Sequence, residues 1–264
     1  MGCCFFLLLL QNKPKMDQIK LVAEVVEIAR SAGAAIMDIY KEADQADLQI
    51  KQKADESPLT IADQAANAII CAGLENLKVK YPIISEENKA IPYETRATFT
   101  YNWLVDPLDG TKEFIKKNGE FTVNIALVHD GQLEMGVVYA PVLKEMYWAV
   151  RGSGAFLEKA GEQTRLQAAS FRMKDQGLGV VCSRSHLDEG TRAFIDQLNE
   201  PDLLAQGSSL KFLVLAKGAA HLYPRLAPTS EWDTRAAQMI LEEAGGQVIN
   251  QEDLQPLRYT RRIY

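Results

Sequence analysis

A chain of 264 residues with 47% hydrophobic and 24% charged residues has ordinary globular composition, which excludes disorder, collagen-like repeats and a polytopic membrane protein. The length allows a buried core, as one compound α/β unit or two closely packed lobes. With 29 Lys and Arg against 35 Asp and Glu the net charge is −6, so no nucleic-acid partner is expected, although a small polyanion screened by metal ions could bind.

The N-terminal MGCCFFLLLLQNKPK has six strongly apolar residues in a row, no basic n-region and no small-residue cleavage site, so it reads neither as a signal peptide nor as a membrane span. Gly2 suggests myristoylation, but Phe6 stands where that motif wants Ser or Thr. The expectation is that residues 1–15 are a leader ahead of a natural start at Met16. Cys3, Cys4, Cys71 and Cys182 have neither zinc-finger spacing nor disulfide-scaffold density, which fits a reducing cytoplasm.

From Asp17 the apolar residues Ile19, Val22, Ala23, Val26, Ala29 and Ala34 recur at helical spacing, predicting a helix to about Tyr40. A second helix enters near Thr60 and ends before Tyr81-Pro82. PIIS and YNWLV are short buried strands that run into Glu86-Glu87 and Asp106. An antiparallel meander follows, broken at His129-Asp130-Gly131 and Gly152-Ser153-Gly154. From about Ala168 the chain returns to strand and helix: LGVVCS, a helix after Asp188, the SSLKFLVLAKG segment, a strand AAHLY and a helix in SEWDTRAAQMILEEAGG.

The segment DPLDGT, residues 106–111, concentrates oxygen ligands. Asp106 and Asp109, three apart around a proline, can aim two carboxylates and the Leu108 carbonyl into one space, as a hard divalent cation requires. Gly110 lets backbone amides approach phosphate oxygens, and Thr111 adds a hydroxyl. Taken alone, the same hexapeptide would also suit a β-turn. Ser230 and Asp233 fit a capping box, which offers Asp233 a role as a helix cap.

The acidic pair Glu86-Glu87, then DPLDGT, then Trp232-Asp233 resemble the inositol monophosphatase superfamily in order and spacing, over nearly the whole chain from Met16. Within it, KADESPLTIAD at 53–63, DGTKEF at 109–114, SRSH at 183–186, GSSLKF at 207–212 and LYPRLAPTSEWDT at 222–234 resemble the CysQ-type 3'(2'),5'-bisphosphate nucleotidases. The resemblance implies an α/β (α+β) fold, a layered α/β/α/β/α sandwich. Its N-terminal lobe, residues 16–167, would carry the metal site, and residues 168–264 would complete the active site.

It further implies about two or three Mg²⁺ ions on Glu86, Asp106, Asp109, Asp233 and the Leu108 carbonyl, and in-line attack by activated water. Activation would fall to Thr111 with Glu86, and to Asp55 paired with Thr111, while Thr60 and Asp63 hold the loop. Substrate phosphate would meet Glu86, Leu108, Asp109, Gly110, Thr111 and Asp233. His186, Gly207, Ser209 and Lys211 would line the nucleotide side, with Lys211 on the second phosphate; a surface lysine on a helix is the alternative.

The implied reaction is hydrolysis of adenosine 3',5'-bisphosphate to AMP and phosphate in sulfur assimilation, with PAPS as a further substrate and lithium as an inhibitor. A cytoplasmic monomer or homodimer is expected, without an obligate protein partner and with peripheral contact to the inner membrane. Inositol-1-phosphate hydrolysis is the nearest alternative, and a nucleotide sensor without turnover a more distant one. A covalent aspartyl phosphatase of the haloacid-dehalogenase type is disfavoured because its two aspartates have a single residue between them.

Overall fold

The computed structural model describes residues 16–42, 61–183, 188–226, 229–250 and 253–257. Helix α1 (Met16–Glu42) buries Val22, Val25, Val26, Ala29, Ala32 and Ile36, the three- and four-residue spacing that puts one stripe against a neighbour. Helix α2 (Ile61–Asn76) does the same with Ala62, Ala66, Ile70 and Leu74. The two stripes pack together and against one face of a seven-stranded sheet, in a core that includes Trp103, Val105, Ile125, Leu127 and Val137.

The sheet is ordered as the chain is: β1 (Ile83–Ser85), β2 (Tyr101–Asp109), β3 (Thr122–His129), β4 (Gln132–Ala140), β5 (Glu145–Val150), β6 (Gly154–Lys159) and β7 (Glu162–Arg165). Only β1 and β2 are parallel; every later neighbour is antiparallel. Between β1 and β2 lies the short helix α3 (Tyr93–Arg96), and between β2 and β3 α4 (Thr111–Ile115). Alternation along each strand sends Leu104, Ala126, Val138 and Ala149 to the opposite face. There they meet α6 (Leu210–Ala216) and α7 (Glu231–Glu243).

Beyond these helices β8 (Gly179–Ser183) and β9 (Asp202–Gln206) form a parallel pair, joined through α5 (Glu189–Ile195). The architecture is the expected mixed α+β arrangement, helices and sheets in alternating layers.

Three details differ from the sequence reading. Strand β2 does not stop at Asp106 but continues to Asp109, with its register against β3 shifting between those two residues, as at a bulge. AAHLY is not a strand: Leu222 makes a single bridge to Val180. Strand β9 was not foreseen, because DLLAQ is exposed and has no apolar alternation to announce it. The predicted hairpins formed, with positive φ at Asp130 (47°) and Gly131 (75°) and at Gly152 and Gly154.

Candidate active site

Parallel pairing of β1 with β2 sets Ser85 opposite Val105, and the Glu86 amide donates to the Val105 carbonyl at 3.1 Å. The next residue on each strand is an acid, so the pairing alone brings Glu86 beside Asp106. A third carboxylate arrives from α7. That helix packs closely on β4 because Gly136 has no side chain; a Cβ there would lie 2.4 Å from the Ala236 carbonyl oxygen. Its first turn carries Asp233, whose Oδ2 accepts from the Ser230 amide at 3.1 Å and the Thr229 hydroxyl at 2.7 Å. The capping box expected at Ser230 and Asp233 is present, and it leaves the second carboxylate oxygen of Asp233 open to another ligand.

One carboxylate oxygen from each of Glu86, Asp106 and Asp233 lies within 4.8 Å of the other two. Asp106 is only 1% exposed, and its Oδ1 accepts from the Leu108 amide at 3.1 Å. Burial, and then the charges of Asp109, Glu86 and Asp233, push its carboxyl well above the usual range. Glu86 is exposed as a residue, but its carboxyl turns into the cluster; desolvation and then Asp233 and Asp109 raise it to about 7. Among the described residues none of these three acids forms an ion pair. Crowded, uncompensated oxygen donors of this kind fit a hard divalent cation.

Asp109 stands beside that trio rather than within it. Its Oδ2 accepts from the Ser209 amide, and burial raises its carboxyl to about 7 against the opposing pull of Lys211. The Ser209 hydroxyl is used inside the protein, 2.7 Å from the Thr122 hydroxyl and 2.8 Å from Asn124 Oδ1. The Gly207 amide donates to Glu120 Oε2 at 2.8 Å. The structure therefore gives both residues bracing contacts.

Lys211 is not a surface lysine. It is 8% exposed, donates to the Ser208 carbonyl at 2.6 Å and lies 5.5 Å from the centre of the Tyr223 ring. Desolvation lowers its ammonium pKa, opposed by the carboxylate of Asp109. Arg225 approaches the Tyr223 hydroxyl at 3.5 Å, so two cations and an aromatic ring border the acidic cluster on this side.

Gly110 has φ 98°, open to glycine at little cost, and a Cβ would lie 2.9 Å from the Glu120 carbonyl oxygen. After this turn Thr111 begins α4, with its hydroxyl 3.4 Å from the Leu108 carbonyl and 3.5 Å from Asp63 Oδ2. Asp63, 4% exposed in the first turn of α2, thus has a contact with Thr111 that the reading of it as a loop support did not foresee. The signal was an acid at the entry of a helix whose neighbours are core alanines. Tyr223 and Arg225 were also missed, although they sit in the segment LYPRLAPTSEWDT. Asp55, Thr60 and His186 lie outside the described residues.

Residues 17–260 match the model of the inositol monophosphatase family. The 3'(2'),5'-bisphosphate nucleotidase CysQ of Salmonella typhimurium is 46% identical over 228 residues, 86% of this chain and 89% of the relative. The Escherichia coli K12 protein of the same name is 45% identical over 90% of this chain and 94% of its own. Among solved structures, CysQ from Bacteroides thetaiotaomicron superposes with a TM-score of 0.78 at 41% identity, covering 91% of this chain and 92% of that one. An inositol monophosphatase from Anabaena shares the fold, with a TM-score of 0.69 at 23% identity. Fold, acidic cluster and relatives agree: the chain belongs to the inositol monophosphatase family.

Proposed function

We propose that the chain is a Mg²⁺-dependent 3'(2'),5'-bisphosphate nucleotidase that hydrolyses adenosine 3',5'-bisphosphate to AMP and phosphate, as the names of its relatives suggest. The observation that carries this reading, beyond the relatives, is the wall formed by Lys211, Tyr223 and Arg225 beside Asp109. A bisphosphate offers that wall a second anion, and a nucleoside offers it a flat ring; an inositol monophosphate has neither. PAPS, which keeps the 3'-phosphate, is a second substrate of the same chemistry.

Glu86, Asp106 and Asp233, with Asp109 and the Leu108 carbonyl at the margin, are the residues that would hold about two or three Mg²⁺ ions. When bound, the metal lowers the pKa of water and neutralises charge on the transferring phosphate. Thr111 and Asp63 orient the attacking water: the threonine hydroxyl accepts from it and passes its own hydrogen bond to the buried carboxylate. Asp63 is added to Asp55, which lies outside the described residues and is kept as the expected partner of Thr111. Gly110 keeps the backbone near the phosphate clear of side chain. Lys211 compensates Asp109 and meets the phosphate that is not cleaved. Residues 168–264 act as the lobe that completes the site, since α6 and α7 supply Lys211 and Asp233.

No described helix is long and apolar enough to cross a membrane; the proposed location is the cytoplasm. The test is phosphate release from adenosine 3',5'-bisphosphate, inositol 1-phosphate and fructose 1,6-bisphosphate, with Mg²⁺ and then with EDTA. A strong preference for the nucleotide, abolished by EDTA, is expected. Preference for inositol 1-phosphate would overturn the nucleotidase reading, and full activity in EDTA would overturn the metal reading.

A further inference from the structure

Helix α2 carries a polar stripe beside its buried one. Asp63, Asn67 and Cys71 follow at four-residue spacing, so they lie on one face a turn apart. Asp63 reaches Thr111. Asn67 reaches the other loop of the site: its Oδ1 accepts from the Ser85 hydroxyl at 2.7 Å, and its Nδ2 donates to Asn88 Oδ1 at 2.9 Å. Two weaker contacts close the bracket, Cys71 Sγ to Asn67 Oδ1 at 3.5 Å and Asn88 Nδ2 to Cys71 Sγ at 3.6 Å. The Ser85 oxygen also accepts from the Glu87 amide at 3.4 Å.

Glu86 thus sits in a turn whose flanking residues 85, 87 and 88 are all tied, directly or through Ser85, to Asn67. The backbone bonds of this turn, from the amides of Glu86 to Val105 and of Asn88 to Ser85, fix its path. They do not fix its height above the cluster. A helix anchored by Ala62, Ala66, Ile70 and Leu74 does, because it cannot slide without opening the core.

We infer that Asn67 is a positioning residue, holding Glu86 against Asp106 and Asp233 through Ser85 and Asn88, so that one face of α2 indexes both the Glu86 turn and the Thr111 turn. The inference rests on the reading of Glu86 as a metal ligand. Groups that orient ligands typically contribute about 10–100-fold to metal affinity.

The test is binding of Mn²⁺ alone to the full-length chain, followed by electron paramagnetic resonance of the free ion, for wild type, Asn67→Ala, Ser85→Ala, the double variant and Glu86→Gln. Asn67→Ala is expected to weaken Mn²⁺ binding about tenfold or more. The Mg²⁺ concentration for half-maximal activity should rise in step, while kcat at saturating Mg²⁺ stays within about threefold; a merely structural lesion would lower kcat without moving metal affinity. Because both substitutions break the Ser85–Asn67 link, the losses in the double variant should be less than additive. Wild-type affinity in Asn67→Ala, or additive losses in the double variant, overturns the inference. If Asn67→Ala does not fold, Ser85→Ala decides, and unchanged affinity there overturns it equally. Unchanged affinity in Glu86→Gln would instead show that the metal assignment has failed.

Discussion

Replacing Asp63 by Asn keeps the shape of the side chain and removes its ability to take a proton, which isolates its role in water activation. Asp63 is 4% exposed and its Oδ2 lies 3.5 Å from the Thr111 hydroxyl, longer than the usual ~2.7–2.8 Å for such a bond. Catalytic bonds of this kind tighten in the substrate complex, and a positioned general base contributes about 10²–10⁴-fold. At about 1.36 kcal/mol per tenfold, Asp63→Asn should raise the barrier by about 2.7–5.4 kcal/mol. Folding should not suffer. The Asp63 charge is one of those that push Asp106 up, so removing it relieves repulsion and the melting temperature should hold or rise.

The assay is kcat on adenosine 3',5'-bisphosphate at saturating Mg²⁺ for Asp63→Asn, Thr111→Val and the double variant, with Asp55→Asn alongside. The two single losses should be similar and the double should add little, since residues acting as a unit are not additive. Asp55→Asn should lose activity as well, as the second expected partner of Thr111. Activity within tenfold of wild type in Asp63→Asn, or fully additive losses, would refute the Thr111–Asp63 pair.

The acidic cluster also predicts a pH dependence. In the metal-free folded chain Glu86 and Asp109 titrate at about 7 rather than 4.5 and 3.8, so they keep protons that the unfolded chain has released. Stability in EDTA should therefore be greatest at low pH and fall as pH climbs through about 7, and saturating Mg²⁺ should abolish the slope; thermal melts flat from about pH 5.5 to 8 in EDTA would sink this account. Gly110→Ala forces a side chain into φ 98° and against the Glu120 carbonyl oxygen, and should cost roughly 2 kcal/mol or more in urea unfolding along with most activity; a neutral variant would mean the turn is not rigid. Lys211→Ala should weaken catalysis on adenosine 3',5'-bisphosphate by about 1.5–3 kcal/mol and leave 3'-AMP nearly unchanged, because only the first substrate carries the second phosphate. Equal losses on both would assign Lys211 to Asp109 alone.

Local chemistry made much of this protein legible without coordinates. The helical spacing of Val22, Val26 and Ala29 marked α1, and consecutive turn residues at Asp130-Gly131 marked the β3–β4 hairpin, because each signal depends on residues a few positions apart. Glu86, DPLDGT and Asp233 could be picked out as acids at element ends for the same reason.

Their assembly could not be read that way. Glu86 meets Asp106 through the parallel pairing of two strands separated by α3, and Asp233 reaches both only because α7 lies close on Gly136. The contact of Asp63 with Thr111 was not legible, and Lys211 could be read equally as a phosphate ligand or as a surface charge, since neither spacing nor propensity reports what a residue faces across the core. Strand β9 had no signal at all: its residues are exposed, and its existence depends on the backbone of β8 beside it. Sequence determined which residues could serve as ligands and where the elements begin. Tertiary packing decided which carboxylates share a site, because proximity between distant segments is set by strand register and helix approach, and one chain position carries no record of either.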